Sequence, residues 1–236
     1  MTTRGEQTRQ HLLDVAERLF GDRGFHAVSL REIRIEAGAR NTAAMQFHFG
    51  DRDGLVTALM DRHMPRIGAI QQELYDRMVA EHRTDDTRSL VEVLVRPSAE
   101  YLTRGPSERS WVKTMAELST LPDLRADEMR SAAPEPGIVV GGLLYERLCQ
   151  DLPRLIASRR MIVLAQSAVQ MCAARARLVD DEAGRRIGMP MPVFVENLTD
   201  MIHGALIAPV SPATVDALDR AEAPDPTVDA EVTSSR

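Results

Sequence analysis

Aromatic residues are scarce in this chain, at 4% of 236 positions, against 44% apolar residues overall. A core so poor in rings must be built from Leu, Val, Ile, Met and Ala, which suits helices better than sheets. No run of alternating β-branched residues bounded by turn signals occurs, so no strands are expected. Cysteine is nearly missing too. Cys149 and Cys172 stand far apart, with no C-x-x-C and no histidine at metal-ligand spacing. That excludes a disulfide framework and argues against a metal centre; both read as small apolar core residues of a reduced compartment. The first ten residues lack an apolar signal core, and no apolar run reaches about 18 residues. A cytoplasmic protein with no membrane contact is the expectation. Nucleophile elbows, glycine-rich phosphate loops, H-E-x-x-H and paired catalytic carboxylates are all lacking. No enzyme, no catalytic residue and no cofactor is expected.

Lysine is the last scarcity: Lys113 is the only one among 29 basic residues. Arginine forks suit phosphate and guanine better than lysine does, although a chain-wide bias equally reflects coding composition. Net charge is −6, which argues against non-specific coating of nucleic acid. Residues 1–54 carry eight Arg against eight acids and are neutral; residues 209–236 carry two Arg against six acids.

What is present is helical periodicity, and it is most organised in the first 55 residues. Leu12, Val15, Ala16, Leu19 and Phe20 form one apolar stripe over 6–23, closed by Gly21 and Gly24. Ser29 and Glu32 make an S-x-x-E capping box for a two-turn helix ending at Gly38. Asn41 or Thr42 is placed to cap a third helix through Met45 to about His48. Asp51 is placed to cap a fourth. Two short helices joined by a three- or four-residue turn with a glycine form a helix-turn-helix, whose second helix enters the DNA major groove. On that reading Arg40, Asn41, Thr42, Ala43 and Gln46 face base edges, where Asn and Gln bridge adenine and Arg bridges guanine. Phe47 either locks the helix onto the bundle with Phe49 or joins the DNA-binding face. His48 either donates to phosphate or packs under the third helix. Arg31 either pairs with Glu36 or lies on the DNA backbone. Arg52 points from a helix start whose free N–H groups favour a phosphate, and Ser29 is a further backbone contact.

The stretch AGARNTAAMQFHFGDRDGL resembles the DNA-binding region of TetR-type transcriptional repressors. His48, Phe49, Gly50, Asp51, Arg52, Asp53, Gly54 and Leu55 follow the family's wording at the fourth helix. Arg52 stands where the family usually has a phosphate-contacting lysine, and Phe47-His48 where it usually shows Tyr-His. Nine residues separate Gly38 from the His-Phe pair, one more than the commonest spacing, as in a subgroup with a longer recognition segment.

Beyond residue 55 the reading is a helical body. Helices are expected over 52–82 with a bend at Pro65, 87–104 with a kink at Pro97, 107–120, about 123–132, 138–150, 154–179 and 191–208. Residues 121–142 are either a lid or a surface connection. The 154–179 helix is apolar nearly all round, with Ile162, Ala165, Val169, Cys172 and Ala176 on one face and Met161, Leu164, Ala168 and Met171 on another. With Phe194, Leu198, Met201, Ile202 and Ala205 on the next helix, it suggests a four-helix interface with a second copy. The resemblance implies the same pairing, and it places Met60, Met64, Tyr101, Trp111, Met115 and Met171 on helices that line an effector pocket. His63, His82 and His203 read as surface or pocket-edge groups.

The expectation is therefore an all-α protein: a helix-turn-helix domain at 1–51, a ligand-binding and dimerisation domain at 52–208, and a disordered tail at 209–236. Its partners are a palindromic double-stranded DNA operator, a second copy of itself and a small hydrophobic effector that releases a repressor. The alternative is an all-helical small-molecule-binding protein or enzyme whose N-terminal unit does not touch DNA.

Overall fold

Ten helices and no strand make up the described residues of the computed structural model, which are 3–120, 134–181 and 188–222. In chain order they are α1 Arg4–Arg23, α2 Leu30–Glu36, α3 Ala44–Phe49, α4 Arg52–Ala80 and α5 Thr87–Tyr101, then α6 Pro106–Leu118, α7 Glu135–Asp151, α8 Arg154–Asp180, α9 Met191–Ile207 and α10 Pro212–Glu222. Residues 1–206 form one compact unit. The helix expected near 123–132, and most of the 121–142 segment, lie outside the described residues.

Local signals place the first four helices. Thr3 Oγ1 accepts from the Glu6 amide and starts α1. Ser29 and Glu32 complete the capping box in both directions. The Ser29 amide heads the bonds and charges that hold the Glu32 carboxylate down at about 2. Gly38 takes φ +63°, the left-handed conformation that a Cβ disfavours. Asp51 accepts from the Gly54 amide and starts α4. One detail differs from expectation. Asn41 Oδ1 accepts from the Ala43 amide, so it caps the turn before α3, while Ala43, the cap position itself, has no side-chain bond. Pro65 and Pro97 lie inside continuous helices, α4 and α5.

The helix-turn-helix rests on α1, and α1 rests on α6 and α4. Gly21 lets α1 approach α6 closely: an added Cβ would stand 2.5 Å from Ser110 Oγ and 2.9 Å from the Ser110 Cα. One turn earlier, Glu17 is buried among apolar neighbours. Its carboxylate accepts from His63 Nε2 at 2.6 Å, Arg62 Nη1 at 2.9 Å and Ser107 Oγ. His63 Nδ1 meets Tyr101 Oη at 2.7 Å, and its ring stacks on Trp111 at 4.7 Å between centroids. Arg62 also donates to Asp14 and Gln10 on α1. His63 is thus wholly buried, not a surface or pocket-edge group. It sits on the apolar stripe of α4, four residues after Leu59, where only a partnered polar group is tolerated.

Farther along, α8 packs against α6 and satisfies its end: Gln170 and Gln166 donate to the Ala116 and Ser119 carbonyls. Asp180 holds Arg109 and Lys113 of α6. The tail reading needs correction over 212–222, which is helix α10. Its Pro212 and alanines permit a helix, and low apolar content alone does not exclude one.

Burial pushes the Glu17 carboxyl up, but the bonds from His63 and Ser107 and the charges of His63 and Arg62 outweigh it and hold it below its ordinary 4.5. A carboxyl with a lowered folded pKa stabilises fully above its unfolded value and loses that contribution as pH falls through the folded one. Glu17→Gln should therefore show a shallower loss of stability below pH 4.5 than wild type. Glu17→Ala, which leaves the buried partners unpaired, should cost about 3 kcal/mol in urea unfolding at neutral pH.

Candidate nucleic-acid interface

Acidic partners neutralise some arginines of the N-terminal unit and leave others free. Arg18 pairs with Glu36 at 2.6 Å and Arg23 with Glu32 at 2.8 Å. Arg34 is spent on the Ala39 carbonyl, within the turn. Glu36 is thus taken, and Arg31 stands exposed with no ion pair among the described residues. Arg40 is likewise exposed and unpaired. Asn41, Thr42, Ala43 and Gln46 are exposed beside it, over the turn and the first helical residues of α3. Ala44, Met45 and Phe49 form the buried side of that helix. Met45 and Phe49 anchor α3 to the unit, and the outer face carries the polar groups.

Phe47 does not lock the helix onto the bundle. It is 81% exposed, more than any other large apolar side chain among the described residues. Helical geometry explains this. Position 47 lies about 200° around the axis from Met45 and 49, the reverse of the buried arc. His48, half-buried, meets Phe47 edge-on at 4.9 Å and Phe49 at 6.2 Å, with neither ring nitrogen bonded to a described residue.

Two expected backbone contacts are engaged inside the protein. Ser29 Oγ donates to Glu32 Oε2 and accepts from the Glu32 amide. Arg52 turns inward: its guanidinium donates to the Val28 carbonyl at 2.8 Å and to the Phe25 carbonyl. Its Cζ lies 4.0 Å from the Phe25 ring centroid, a cation–π contact. Burial lowers the Arg52 pKa, against the opposite pull of Asp53. From the other side, Glu117 of α6 accepts from the Phe25 amide at 2.6 Å. The α1–α2 connection is therefore gripped at both of its faces, and the Arg52 guanidinium ties α4 to it.

The remaining sequence candidates divide by depth. Tyr101 and Trp111 are buried on either side of His63, while Met60, Met64, Met115 and Met171 are half-buried. Of the expected interface residues, Ala168, Leu198 and Ile202 are buried within the chain. Met161, Leu164 and Phe194 are half-buried, and Met201 and Ala205 are exposed. A second departure is on α8, where Cys172 and Ala176 face inward while Ile162, expected on their face, faces out with Val163. The outward apolar stripe of α9 is Val193, Met201 and Ala205, spaced eight and then four residues apart. Apolar periodicity marked both helices correctly but did not say which apolar face meets the chain's own core.

Sequence reading missed a concave feature beside the turn. A cleft of about 620 Å³ lies between the first three turns of α1 and residues 37–41. Residue type alone offered little signal for it, because Arg4, Gln7, Thr8 and His11 resemble any solvated helix face. Arg52→Ala should cost about 2 kcal/mol of stability, since it removes charge-assisted bonds to two carbonyls. It should leave the salt dependence of DNA binding unchanged, as measured by chemical unfolding beside a binding titration.

Residues 12–59 match the family model described as bacterial regulatory proteins, tetR family. A segment of 68 residues is 38% identical to the HTH-type transcriptional regulator AcrR of Shigella flexneri. It spans 29% of this chain and 31% of that relative, so the chain covers about a third of the relative's length. A solved TetR-family transcriptional regulator from Pectobacterium atrosepticum aligns over 89% of this chain and all of its own, at 21% identity and a TM-score of 0.42. Residues 12–59 thus resemble the N-terminal domain of the tetR family of bacterial regulatory proteins.

Proposed function

We propose that the protein is a homodimeric, sequence-specific DNA-binding regulator of transcription, a repressor released by a small effector. One observation carries the DNA-binding part. Within a charge-neutral unit, exposed Arg40, Thr42 and Gln46, whose side chains have no partner among the described residues, cluster with exposed Asn41 at the turn and start of α3, while neighbouring arginines are spent on acids and carbonyls. Those are the residue types that read base edges, presented by the element that enters the major groove. Arg31 on α2 supports it as a backbone contact. The proposal places the protein in the cytoplasm, where bacterial DNA is.

The outward apolar faces of α8 and α9 support pairing of two copies. Ile162 and Val163 are 51% and 56% exposed, and Val193 and Met201 are 51% and 50% exposed. Such faces mark association surfaces when contiguous. Two-fold pairing would present two recognition helices to a palindromic operator, with half-sites one helical turn or a multiple apart. An effector would enter the body near the half-buried Met60, Met64, Met115 and Met171, whose soft side chains adapt to a ligand. The body core holds two buried polar atoms without a partner among the described residues, Trp111 Nε1 and Gln71 Oε1. An effector reaching them would need hydrogen-bonding atoms as well as apolar surface. It would release DNA only by as much as its affinity differs between the two forms.

A shift assay with the DNA upstream of the coding sequence, against a scrambled duplex, tests the reading. Wild type should prefer the natural sequence, and Gln46→Ala should lose about 1–3 kcal/mol of that preference. Equal retention of both duplexes contradicts it. Met201→Glu with Val193→Glu should convert a dimer to a monomer in light scattering, with the helical spectrum retained.

A further inference from the structure

The cleft beside the helix-turn-helix carries a charge pattern unlike the rest of the chain. Its lining is Arg4, Gln7, Thr8, His11 and Leu12 from α1, Ala37, Gly38, Ala39, Arg40 and Asn41 from the turn, and Ala44 from α3. None of these is acidic, in a chain with 35 acids and a net charge of −6. Arg4, His11 and Arg40 are exposed, and their side chains make no hydrogen bond or ion pair with the described residues. The acids on the same stretch of α1 are occupied elsewhere: Glu6 accepts from Gln10, and Asp14 from Arg62.

The turn adds donors. The amides of Gly38 and Ala39 are bonded to the Ile35 and Arg34 carbonyls, and those of Ala43 and Ala44 to Asn41. The amides of Arg40, Asn41 and Thr42 between them have no partner among the described residues. A concavity with two guanidinium groups, an imidazole, hydroxyl and amide donors and no carboxylate is built to receive an anion. At about 620 Å³ it is much larger than one phosphate and accommodates a phosphate with its sugars.

We propose that this cleft takes a stretch of sugar–phosphate backbone of duplex DNA, flanking the groove that α3 enters, with Arg4 and His11 of α1 as contacts. The inference rests on the DNA-binding reading above. It adds α1 as a second clamp to the reading helices. Arg4 and His11 contact phosphate and not base edges, so they contribute affinity and orientation without sequence preference. Exposed Arg4 holds nothing in the fold, so its removal leaves the protein folded.

The test is a salt series of binding titrations on the full chain, with the upstream duplex and a scrambled duplex of equal length. Arg4→Ala should weaken both duplexes by the same factor and reduce the slope of log K against log salt by about 0.9, one phosphate's worth. Arg4→Glu should weaken both further, and the natural-over-scrambled ratio should stay at the wild-type value. His11→Ala should behave as Arg4→Ala in direction. Wild-type slope and affinity in Arg4→Ala and Arg4→Glu overturn the proposal, while leaving specific DNA binding intact. If wild-type protein binds neither duplex, the DNA-binding reading itself has failed and this inference with it. Calorimetric binding of inorganic phosphate that is lost in Arg4→Ala, with the duplex slope unchanged, assigns the cleft to a free anion and also overturns it.

Discussion

The carboxylate of Glu17 is the constraint on which the arrangement depends. A buried acid on the inner face of α1 is costly unless every lone pair is answered. Here the answers come from α4, through Arg62 and His63, and from α6, through Ser107. His63 passes the connection on to Tyr101 of α5. Four helices must therefore be in one register for the charge to be satisfied. Apolar packing alone tolerates sliding by a fraction of a turn; a charge-assisted cluster with defined directions does not. The tight contact of Gly21 with Ser110 follows from the same register.

Position is then handed to the reading helices through a short connection. Glu117 takes the amide of Phe25, and Arg52 takes the carbonyls of Phe25 and Val28. One grip comes from α6, in the body, and the other from the start of α4. A shift of α6 relative to α4 would act on both sides of the same peptide segment. Release by an effector, if it operates as proposed, has a physical handle there: residues 25–28 connect α1 to α2, and α2 carries the turn to α3. The positions with free donors, Arg40 to Gln46, are those that this handle would reorient.

Much of this was legible in the sequence, and the parts that were not share a cause. The capping box at Ser29, the left-handed Gly38 and the cap at Asp51 are local devices whose partners lie within four residues. Spacing therefore revealed them. The helices of the body followed from 3.6-residue periodicity. The bonds of Arg52 to Phe25 and Val28 were not legible, because those partners are 27 and 24 residues away. Leu198 and Ile202 were misassigned because an apolar residue looks the same whether it faces its own core or a second copy. Glu17 and His63 did leave a signal: each is a titratable group on an otherwise apolar stripe. The free state of Arg4 and His11 left none, since it depends on which acids the fold commits elsewhere.

On the function proposed here, the exposed residues of the turn and α3, held by this register, read duplex DNA as a two-fold pair. Selection of random duplexes by the full chain, with sequencing of the retained pool, tests it most directly. The account predicts enrichment of an inverted repeat whose half-sites lie about one helical turn or a multiple apart. A pool that stays random, or that converges on a single unrepeated site, contradicts it.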